Sequence, residues 1–333
     1  TAYEAVPVVI ERGPYLQKVT PTSVVIKWRT NTSTESYVNY GTSLGSLSPI
    51  IEDDTKVINH EVELTGLAPN TKYYYDIADA DETLVTGTTE MFVKTAPTPG
   101  TKQFVRIWAL GDPGTEGNGT YPGDQFSVRD AYYNYVNNTN SPPVAASSNI
   151  GQTDMMLFLG DNAYNDGTDT EYQNGLFEVY DAMLPKTVAW STRGNHERNA
   201  GVYYEIFAHP TAAEAGGVAS GTEEYYSFDY ANIHFIVLES YQLENDTFED
   251  GDAVLESQLE WLKADIAATS QDWIIAFFHH PPYTKGSHDS DVEQDLIDMR
   301  NNFAPVLEAW GVDVVLNGHS HSYERSFYKR KNN

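Results

Sequence analysis

Cysteine, long apolar runs and positive charge are scarce or absent in this sequence. The 333 residues contain no cysteine, which excludes disulfide bonds, thiolate nucleophiles and cysteine-bound metals. No apolar stretch approaches the ~20 residues that a membrane-spanning helix needs. Only 20 lysine and arginine residues stand against 48 aspartate and glutamate residues, for a net charge of -28. A surface this acidic repels nucleic acid and anionic membranes, so neither is an expected partner.

Apolar and aromatic residues are plentiful by contrast. Hydrophobic residues make up 40% of the chain, with 23 tyrosines and 6 tryptophans, which is enough for a sizeable core. The length favours two domains. An acidic, well-solvated surface is typical of extracellular or periplasmic proteins, so we expect a secreted, periplasmic or cell-surface location.

The first hundred residues are predicted to be β structure. Apolar residues alternate with polar ones over short runs that end at turn residues, as in half-buried strands. The clearest runs are 23–29, 36–40 and 61–64. After the last of them, Gly66-Leu67-Ala68-Pro69-Asn70-Thr71-Lys72-Tyr73 resembles the tyrosine corner of fibronectin type III domains. We therefore expect a fibronectin type III-like all-β sandwich over residues 1–96.

A change of pattern marks a second domain. Residues 97–101 are rich in proline and glycine and are predicted to be a linker. From 102 to 333, apolar strands alternate with longer segments, several of helical spacing, which favours an α/β domain of layered sheets flanked by helices. The predicted helices are 127–136, 253–267 and one within 292–310 that is interrupted near Pro305. The predicted strands are 103–110, 154–159, 187–191, 233–238, 273–278 and 312–316.

Polar residues follow nearly every predicted strand of this second domain. Ligands of α/β sheets bind beyond the carboxyl ends of the strands, so these loops are expected to meet at one edge. Glycine precedes the donor in most of the loops, which lets the backbone turn sharply. The five blocks are Gly111-Asp112, Gly160-Asp161-Asn162-Ala163-Tyr164, Gly194-Asn195-His196-Glu197, His279-His280-Pro281-Pro282 and Asn317-Gly318-His319-Ser320-His321.

These blocks contain residues that bind metal ions through oxygen and nitrogen. Seven donors are too many for one zinc ion, which usually takes four, but they suit two ions that share a carboxylate. Two ions about 3.5–4 Å apart can clamp a phosphoryl group and activate a water molecule. The seven donors are Asp112, Asp161, Tyr164, Asn195, His279, His319 and His321.

In this order, the five blocks resemble the calcineurin-like metallophosphoesterase superfamily, over the whole chain. The block from Gly160 to Tyr164 resembles that of purple acid phosphatases, whose phenolate binds ferric iron and whose plant-type branch has a fibronectin-like N-terminal domain. The resemblance implies a ferric site and a divalent site (zinc, manganese or iron) with Asp161 as the bridge. The ferric ligands would be Asp112, Asp161, Tyr164 and His321, and the divalent ligands Asp161, Asn195, His279 and His319.

The resemblance also implies roles for residues around the metals. Asn195 and His196 would bind substrate, and His196 would protonate the leaving alkoxide. His288 lies where the family places another substrate-facing histidine, which is a second candidate for that proton transfer. Its neighbour is Asp289, where the family often has a further histidine. His280 is predicted to be a hydrogen-bonded neighbour of the ligands, not a ligand.

The implied reaction is hydrolysis of small phosphate monoesters by in-line attack of a hydroxide held at an Fe(III)–M(II) centre. Two alternatives stay open: a phosphodiesterase or nucleotidase with the same centre, and a non-catalytic surface protein that binds a partner. Tyr164 has the alternative of an ordinary core tyrosine, and His60, His209 and His234 are predicted to be core or surface histidines. Family members usually continue with further strands, so the resemblance also implies a C-terminally incomplete chain at Asn333.

Overall fold

The structure is a computed structural model and describes residues 7–48, 50–114, 124–137, 153–198, 200–241 and 253–326. The chain forms two compact units. The first comprises Thr1–Thr98 with Tyr180–Ala189, and the second comprises Pro99–Val179 with Trp190–Asn333. The domain ranges 1–96, 97–101 and 102–333 stay a prediction. The expectation of an incomplete C-terminus falls on residues outside those that the structure describes.

The first unit is all-β, as predicted. Its strands are β1 (Ile10–Gln17), β2 (Val24–Gly41), β3 (Ile50–Leu64), β4 (Lys72–Ala78), β5 (Thr83–Val85) and β6 (Phe92–Lys94). They form one antiparallel six-stranded sheet in the order β1-β2-β4-β5, with β3 beside β2 and β6 beside β4. The long strand β2 pairs with β1 through its first half and with β4 through its second half.

The predicted apolar face of β2 and the predicted turn are both present. Val24, Ile26 and Trp28 are buried, and the burial of an aliphatic side chain contributes about 1.5–3 kcal/mol. Tyr73 Oη accepts a hydrogen bond of 2.9 Å from the backbone N–H of Ala68, which is the contact that defines a tyrosine corner. The likeness of the unit to fibronectin type III domains stays a prediction.

The second unit contains two sheets. Strands β7 (Ile107–Leu110), β8 (Met155–Leu159) and β9 (Val188–Thr192) form one, in chain order, and the first two residues of β9 belong to the segment assigned to the first unit. The other is formed, in chain order, by β10 (Tyr226–Tyr230), β11 (Ile233–Val237), β12 (Trp273–Phe277) and β13 (Val314–Leu316). β7 and β8 are parallel, as are β11, β12 and β13, whereas β10 runs antiparallel to β11. All residues of β8 and β9 are buried, which is typical of strands covered on both faces.

The helices confirm the α/β prediction. They are α1 (Asp124–Asn137), α2 (Asp169–Tyr172), α3 (Ala200–Ile206), α4 (Ala253–Ala268), α5 (Gln294–Asp298) and α6 (Ala304–Ala309). The predicted helix 292–310 is divided into α5 and α6 by a π-helical turn, Met299–Phe303. Pro305 lies in the first turn of α6. Backbone N–H groups in the first turn have no hydrogen-bond partner within the helix, so the absence of an N–H on proline costs no bond there.

A core cluster holds α4 against the second sheet. Leu262 and Ile266 of α4 pack with Ile236 of β11, Ala276 of β12 and Phe303. This packing fixes β11 and β12, and with them the loops that follow those strands. None of the helices in the described part of the chain is both long enough and apolar enough to cross a membrane.

Candidate metal centre

The five predicted loops meet at one place in the second unit. Each follows the carboxyl end of a strand: β7, β8, β9, β12 and β13. Every one of the seven predicted donor atoms lies within 3.2 Å of at least one other. Loops that are as much as two hundred residues apart in the sequence therefore contribute to a single site.

One group of donors surrounds the phenol of Tyr164. Its Oη lies 2.7 Å from Asp112 Oδ1, 3.0 Å from Asp161 Oδ2 and 3.1 Å from His321 Nε2. His321 Nε2 is 3.2 Å from Asp112 Oδ1. The side chain of Tyr164 is buried, and this position directs its hydroxyl to the centre of the group and not into the apolar core.

A second group surrounds the amide oxygen of Asn195. Asn195 Oδ1 lies 3.1 Å from both His279 Nε2 and His319 Nδ1, and these two nitrogens are 3.2 Å apart. Asp161 Oδ2 is 3.2 Å from His279 Nε2 and also contacts Tyr164. Asp161 is thus the residue common to the two groups.

The chemistry of these donors fits metal ions. Ligand atoms 2.0–2.1 Å from one ion are about 2.9 Å apart at neighbouring octahedral positions and about 3.3 Å apart at tetrahedral ones. The spacings within both groups match. His279 Nδ1 lies 2.9 Å from the carbonyl oxygen of Leu159, which assigns the proton to Nδ1 and leaves a lone pair on Nε2. The amide oxygen of Asn195 also presents only lone pairs, so either a proton on Nε2 or a metal ion fits between the two atoms.

Strained backbone is concentrated at the same residues. Among the residues that the structure describes, eight that are not glycine have a positive φ, and half of these are predicted ligands. Such conformations cost about 1–3 kcal/mol each and persist where the surrounding structure imposes them. The four ligands are Asp112 (55°), Asp161 (54°), His319 (68°) and His321 (42°).

Two glycines allow the loops to approach one another. A Cβ on Gly194 would lie 2.3 Å from Asp161 Oδ1, and a Cβ on Gly318 would lie 2.7 Å from the carbonyl oxygen of Leu159. Any side chain at either position would displace a neighbouring loop. The glycines that the sequence places before the donors are therefore required by contacts between loops.

Glu197 was not assigned a role from the sequence, yet it links two of the loops. This fully buried carboxylate accepts backbone N–H groups of Asp161 at 2.9 Å, Asn162 at 2.5 Å, Ala163 at 3.2 Å and Gly194 at 2.6 Å. Burial, followed by the charge of Asp161, raises the pKa of Glu197, whereas the N–H donors lower it. The sequence feature that could have identified Glu197 is its position directly after Asn195-His196.

The predicted substrate-facing histidines lie at the border of the donor groups. The ring of His196 is 4.3 Å from that of Tyr164, with Nδ1 2.7 Å from the carbonyl oxygen of Asn165. The ring of His288 stacks on His319 at 3.8 Å, and its Nδ1 is 2.6 Å from Glu293 Oε2. Glu293 is a second residue that sequence reasoning missed.

Burial and neighbouring charges shift the titration of the predicted ligands. Burial lowers the pKa of His279, but Asp161 raises it by more, to about 10. Burial, then His279 and His288, lower the pKa of His319 to about 2. Burial raises the pKa of Tyr164 far above its usual range, and Asp112 and Asp161 raise it further. Ionised Tyr164 therefore requires a strong cation close to its oxygen.

The remaining histidines lie elsewhere, with the exception of His280. His280 is buried beside His279 and contacts Ser240, with Nδ1 3.0 Å from Ser240 Oγ. His60, His209 and His234 are buried. His60 contacts Thr30 and Ser36, His209 contacts Ser191, and His234 contacts Asp229 and Asp265.

Two family descriptions match the chain. Residues 105–323 match "Calcineurin-like phosphoesterase", and residues 14–96 match "Purple acid Phosphatase, N-terminal domain". The solved structure of PhoD superimposes with a TM-score of 0.59 at 14% identity, over 95% of this chain and 72% of that one. At this identity the superposition shows likeness of fold alone.

Curated relatives are similar along most of this chain. Purple acid phosphatase 15 of Arabidopsis thaliana is 26% identical, covering 94% of this chain and 59% of the relative. Acid phosphatase type 7 of Homo sapiens is 24% identical, covering 92% of this chain and 68% of the relative. The chain thus spans about three fifths of the Arabidopsis relative. The chain belongs to the calcineurin-like phosphoesterase family and has the N-terminal domain of purple acid phosphatases.

Proposed function

We propose that this chain hydrolyses small phosphate monoesters with two cations, Fe(III) and a divalent zinc, manganese or iron ion. The observation that carries the proposal is the pair of donor groups that share Asp161. The family match to phosphoesterases and the relatives named acid phosphatase support the same activity. The absence of cysteine is consistent with a site of oxygen and nitrogen donors.

The group around Tyr164 would hold the ferric ion. Its ligands would be Asp112, Asp161, Tyr164 and His321, three of which bind through hard oxygen atoms that suit a hard trivalent ion. Burial strongly opposes ionisation of the Tyr164 phenol, and the charge of such an ion offsets that cost.

The group around Asn195 would hold the divalent ion. Its ligands would be Asp161, Asn195, His279 and His319, and the imidazoles favour zinc, whereas the carboxylate suits manganese as well. When bound, the two ions supply an activated water and neutralise the charge of the phosphoryl group.

Residues of the chain itself orient the substrate and move the proton. Asn195 and His196 lie at the exposed side of the site and would contact the phosphoryl oxygens. The hydrogen bond from His196 Nδ1 to the carbonyl oxygen of Asn165 fixes the ring, so Nε2 can deliver a proton to the leaving alkoxide. His288, held by Glu293, would contact the substrate from the opposite side. The position beside His288 is Asp289, which pairs with Lys285.

The acidic chain presents a barrier to its own anionic substrates. With a net charge of -28, the surface repels phosphate esters unless bound cations reverse the field at the site. The same acidic composition supports our proposal of a location outside the cytoplasm. We expect substrate binding to weaken strongly when the metals are removed.

Metal analysis with a visible spectrum tests the proposal. We expect two ions per chain, a broad phenolate-to-iron band, and faster hydrolysis of a phosphate monoester than of a diester. Tyr164→Phe should abolish the band. Tyr230→Phe is the matched control, because Tyr230 is also buried but contacts Asp154. A colourless, active, iron-free protein contradicts the ferric assignment, a preference for the diester indicates the phosphodiesterase alternative, and a metal-free inactive protein indicates the binding protein.

A further inference from the structure

The proposed metal centre takes its ligands from both sheets of the second unit. Four of the seven predicted donors follow strands of the sheet β7-β8-β9, and the three histidines among them follow strands of the sheet β10-β11-β12-β13. The divalent group depends on both sheets, because Asn195 Oδ1 lies 3.1 Å from His279 Nε2 and from His319 Nδ1. Its geometry therefore requires that the carboxyl ends of the two sheets are held at a fixed separation.

A buried ion pair joins the two sheets beside this centre. Arg193 directly follows β9, and its Nε donates a hydrogen bond of 2.7 Å to Oε2 of Glu239, which lies two residues after β11. Both side chains are more than nine-tenths buried. A second link lies next to the pair, since Thr192 Oγ1 donates to the carbonyl oxygen of Leu238 at 2.9 Å. We call these four residues, Thr192, Arg193, Leu238 and Glu239, the inter-sheet clasp.

The clasp is attached to a metal loop on each side. On one side, Arg193 stands two residues before Asn195 in the same loop. On the other side, the residue after the clasp is Ser240, whose Oγ accepts the backbone N–H of His280 at 3.1 Å. This bond holds the clasp to the loop that carries His279. A change in the clasp is therefore transmitted to the distance between Asn195 and His279.

The segment after β11 supplies no predicted ligand, yet its position is fixed by several hydrogen bonds. The backbone N–H of Glu239 donates to Gln258 Oε1 at 2.9 Å, and Gln258 Nε2 donates to the carbonyl oxygen of Glu239 at 3.1 Å. Glu239 Oε1 accepts the backbone N–H of Tyr241 at 2.6 Å. Gln258 is a buried residue of α4. The helix that packs on the second of these sheets therefore also holds Glu239 in place for Arg193.

We propose that the inter-sheet clasp positions Asn195 against His279 and His319 and thereby sets the metal affinity of the divalent site. A buried ion pair adds little net stability, because the loss of hydration offsets the attraction, whereas a partner that orients a ligand changes metal affinity about 10–100-fold. The inference rests on the proposed function, since it requires the divalent site. The ferric group should depend less on the clasp, because three of its four proposed ligands follow strands of one sheet.

Two variants of the clasp test the proposal. The double variant Arg193→Gln with Glu239→Gln removes both charges, so that neither is left buried without its partner. Thr192→Val removes only the hydroxyl that donates to Leu238. Zinc affinity is measured by competition with a chromophoric chelator, and the phenolate-to-iron band reports on the ferric site. We expect zinc affinity to fall about 10–100-fold in the double variant and less in Thr192→Val, with the band retained in both.

His234→Gln is the matched control. It also removes a buried ionic contact of the second unit, because His234 lies between Asp229 and Asp265, but His234 is near the beginning of β11 and the clasp is beyond its end. Zinc affinity should match the wild type in this variant. Circular dichroism establishes that all variants are folded, and urea unfolding measures how much stability each has lost.

Unchanged zinc affinity in both clasp variants would overturn the proposal. An equal loss in His234→Gln would also overturn it, because the loss would then follow from stability, and so would an equal loss of the iron band. Arg193 Nη2 has no acceptor among the residues that the structure describes, so direct contact with substrate is the competing explanation. Weaker inhibition by inorganic phosphate with unchanged zinc affinity would favour that explanation and overturn the clasp.

The wild-type protein separates a failure of this inference from a failure of the proposed function. If the wild type binds neither zinc nor iron, the proposed function fails and the clasp has no divalent site to position. If the wild type binds both metals and hydrolyses a monoester, the proposed function holds, and an unaltered zinc affinity in the clasp variants counts against the clasp alone.

Discussion

Two clusters of buried histidine and carboxylate lie in the second unit, and their charges are balanced in different ways. In the first, His234 lies between Asp229 and Asp265, with Nδ1 and Nε2 each 2.8 Å from a carboxylate oxygen. Every nitrogen there has an acceptor. In the metal loops, by contrast, His279 Nε2 lies 3.1 Å from the neutral amide oxygen Asn195 Oδ1 and 3.2 Å from Asp161 Oδ2.

The comparison concerns the cation that each cluster can hold. Burial lowers the pKa of His234, but Asp229 and Asp265 raise it by more, to about 9. One proton on the ring therefore satisfies both ion pairs at neutral pH. Burial lowers the pKa of His279, and Asp161 raises it by more, to about 10, but His279 Nε2 also lies near Asn195 Oδ1 and His319 Nδ1, so a metal ion can replace the proton and bind several of these atoms at once. Four predictions test this distinction, beginning with the largest expected effect.

Removing the shared carboxylate should abolish metal binding. In Asp161→Asn, both ions lose a ligand, so we expect fewer than two ions per chain and a fall in kcat well above the ~100-fold typical of outer partners. Metal analysis and monoester kinetics measure this. Asp154→Asn is the control, because Asp154 precedes β8 at the opposite end and contacts Arg106 and Tyr230. Equal metal loss in both variants would contradict the assignment of Asp161.

Glu197→Gln should weaken metal binding without removing a ligand. The amide offers one acceptor oxygen in place of two, and its NH2 group faces backbone donors, so the two loops separate. We expect a loss of metal affinity of about 10–100-fold, measured by competition with a chelator. Glu223→Gln is the control, since Glu223 also accepts a backbone N–H, but from His209 at 3.1 Å, away from the predicted donors. Unchanged affinity in Glu197→Gln would show that Glu197 supports the fold alone.

His234→Gln should change the pH dependence of stability. Because the folded pKa of about 9 exceeds the unfolded value, His234 contributes stability that is fully present below pH 6.5 and is lost as pH rises through about 9. At about 1.4 kcal/mol per pKa unit, the contribution is about 3 kcal/mol. Urea unfolding of the wild type and the variant at pH 6 and pH 9.5 measures it.

His60→Gln is the control for that experiment, because the stability that His60 contributes should depend on pH in the opposite direction. Burial lowers the pKa of His60 to about 4, so its contribution is present above pH 6.5 and is lost as pH falls towards 4. If His234→Gln and the wild type show the same pH dependence, a proton does not hold the His234 cluster together, and the comparison fails.

Arg198→Ala should have the smallest effect. Arg198 and Asp166 form an ion pair of 3.2 Å close to His196, but both side chains are more than half exposed. Exposed pairs contribute about 0–1 kcal/mol, so the free energy of unfolding and the metal affinity should hardly change. A large loss of metal affinity would show that charges at the border of the site matter as much as the buried ones.

The longer helices and most strands of the second unit could be predicted because their signals are local, whereas the short helices α2 and α3 were not predicted. Strand β10 was not predicted, although aromatic and polar residues alternate along Tyr226–Tyr230. It pairs with β11 through a two-residue turn at Ala231 and Asn232. Such turns usually contain glycine, but here Ala231 adopts a φ of 57°, so the sequence carried no turn signal.

Prediction of the site from the sequence was limited in the same way, to features with a local signal. The convergence of the predicted donors could be expected because each lies in a loop that follows an apolar strand. The residues that hold them could not, because their partners are distant in the sequence. Glu197 accepts N–H groups from residues 34 to 36 positions earlier. Such roles depend on how loops pack and not on local pattern.

The close contact between Gly111 and Gly318 has a consequence for mutagenesis. A Cβ on Gly111 would lie 2.8 Å from the Cα of Gly318, and a Cβ on Gly318 would lie 2.7 Å from the carbonyl oxygen of Leu159. Both alanines therefore act on the segment that carries Gly318. Substitutions that share a neighbour are not independent, so a thermodynamic cycle over this pair should report a coupling energy different from zero.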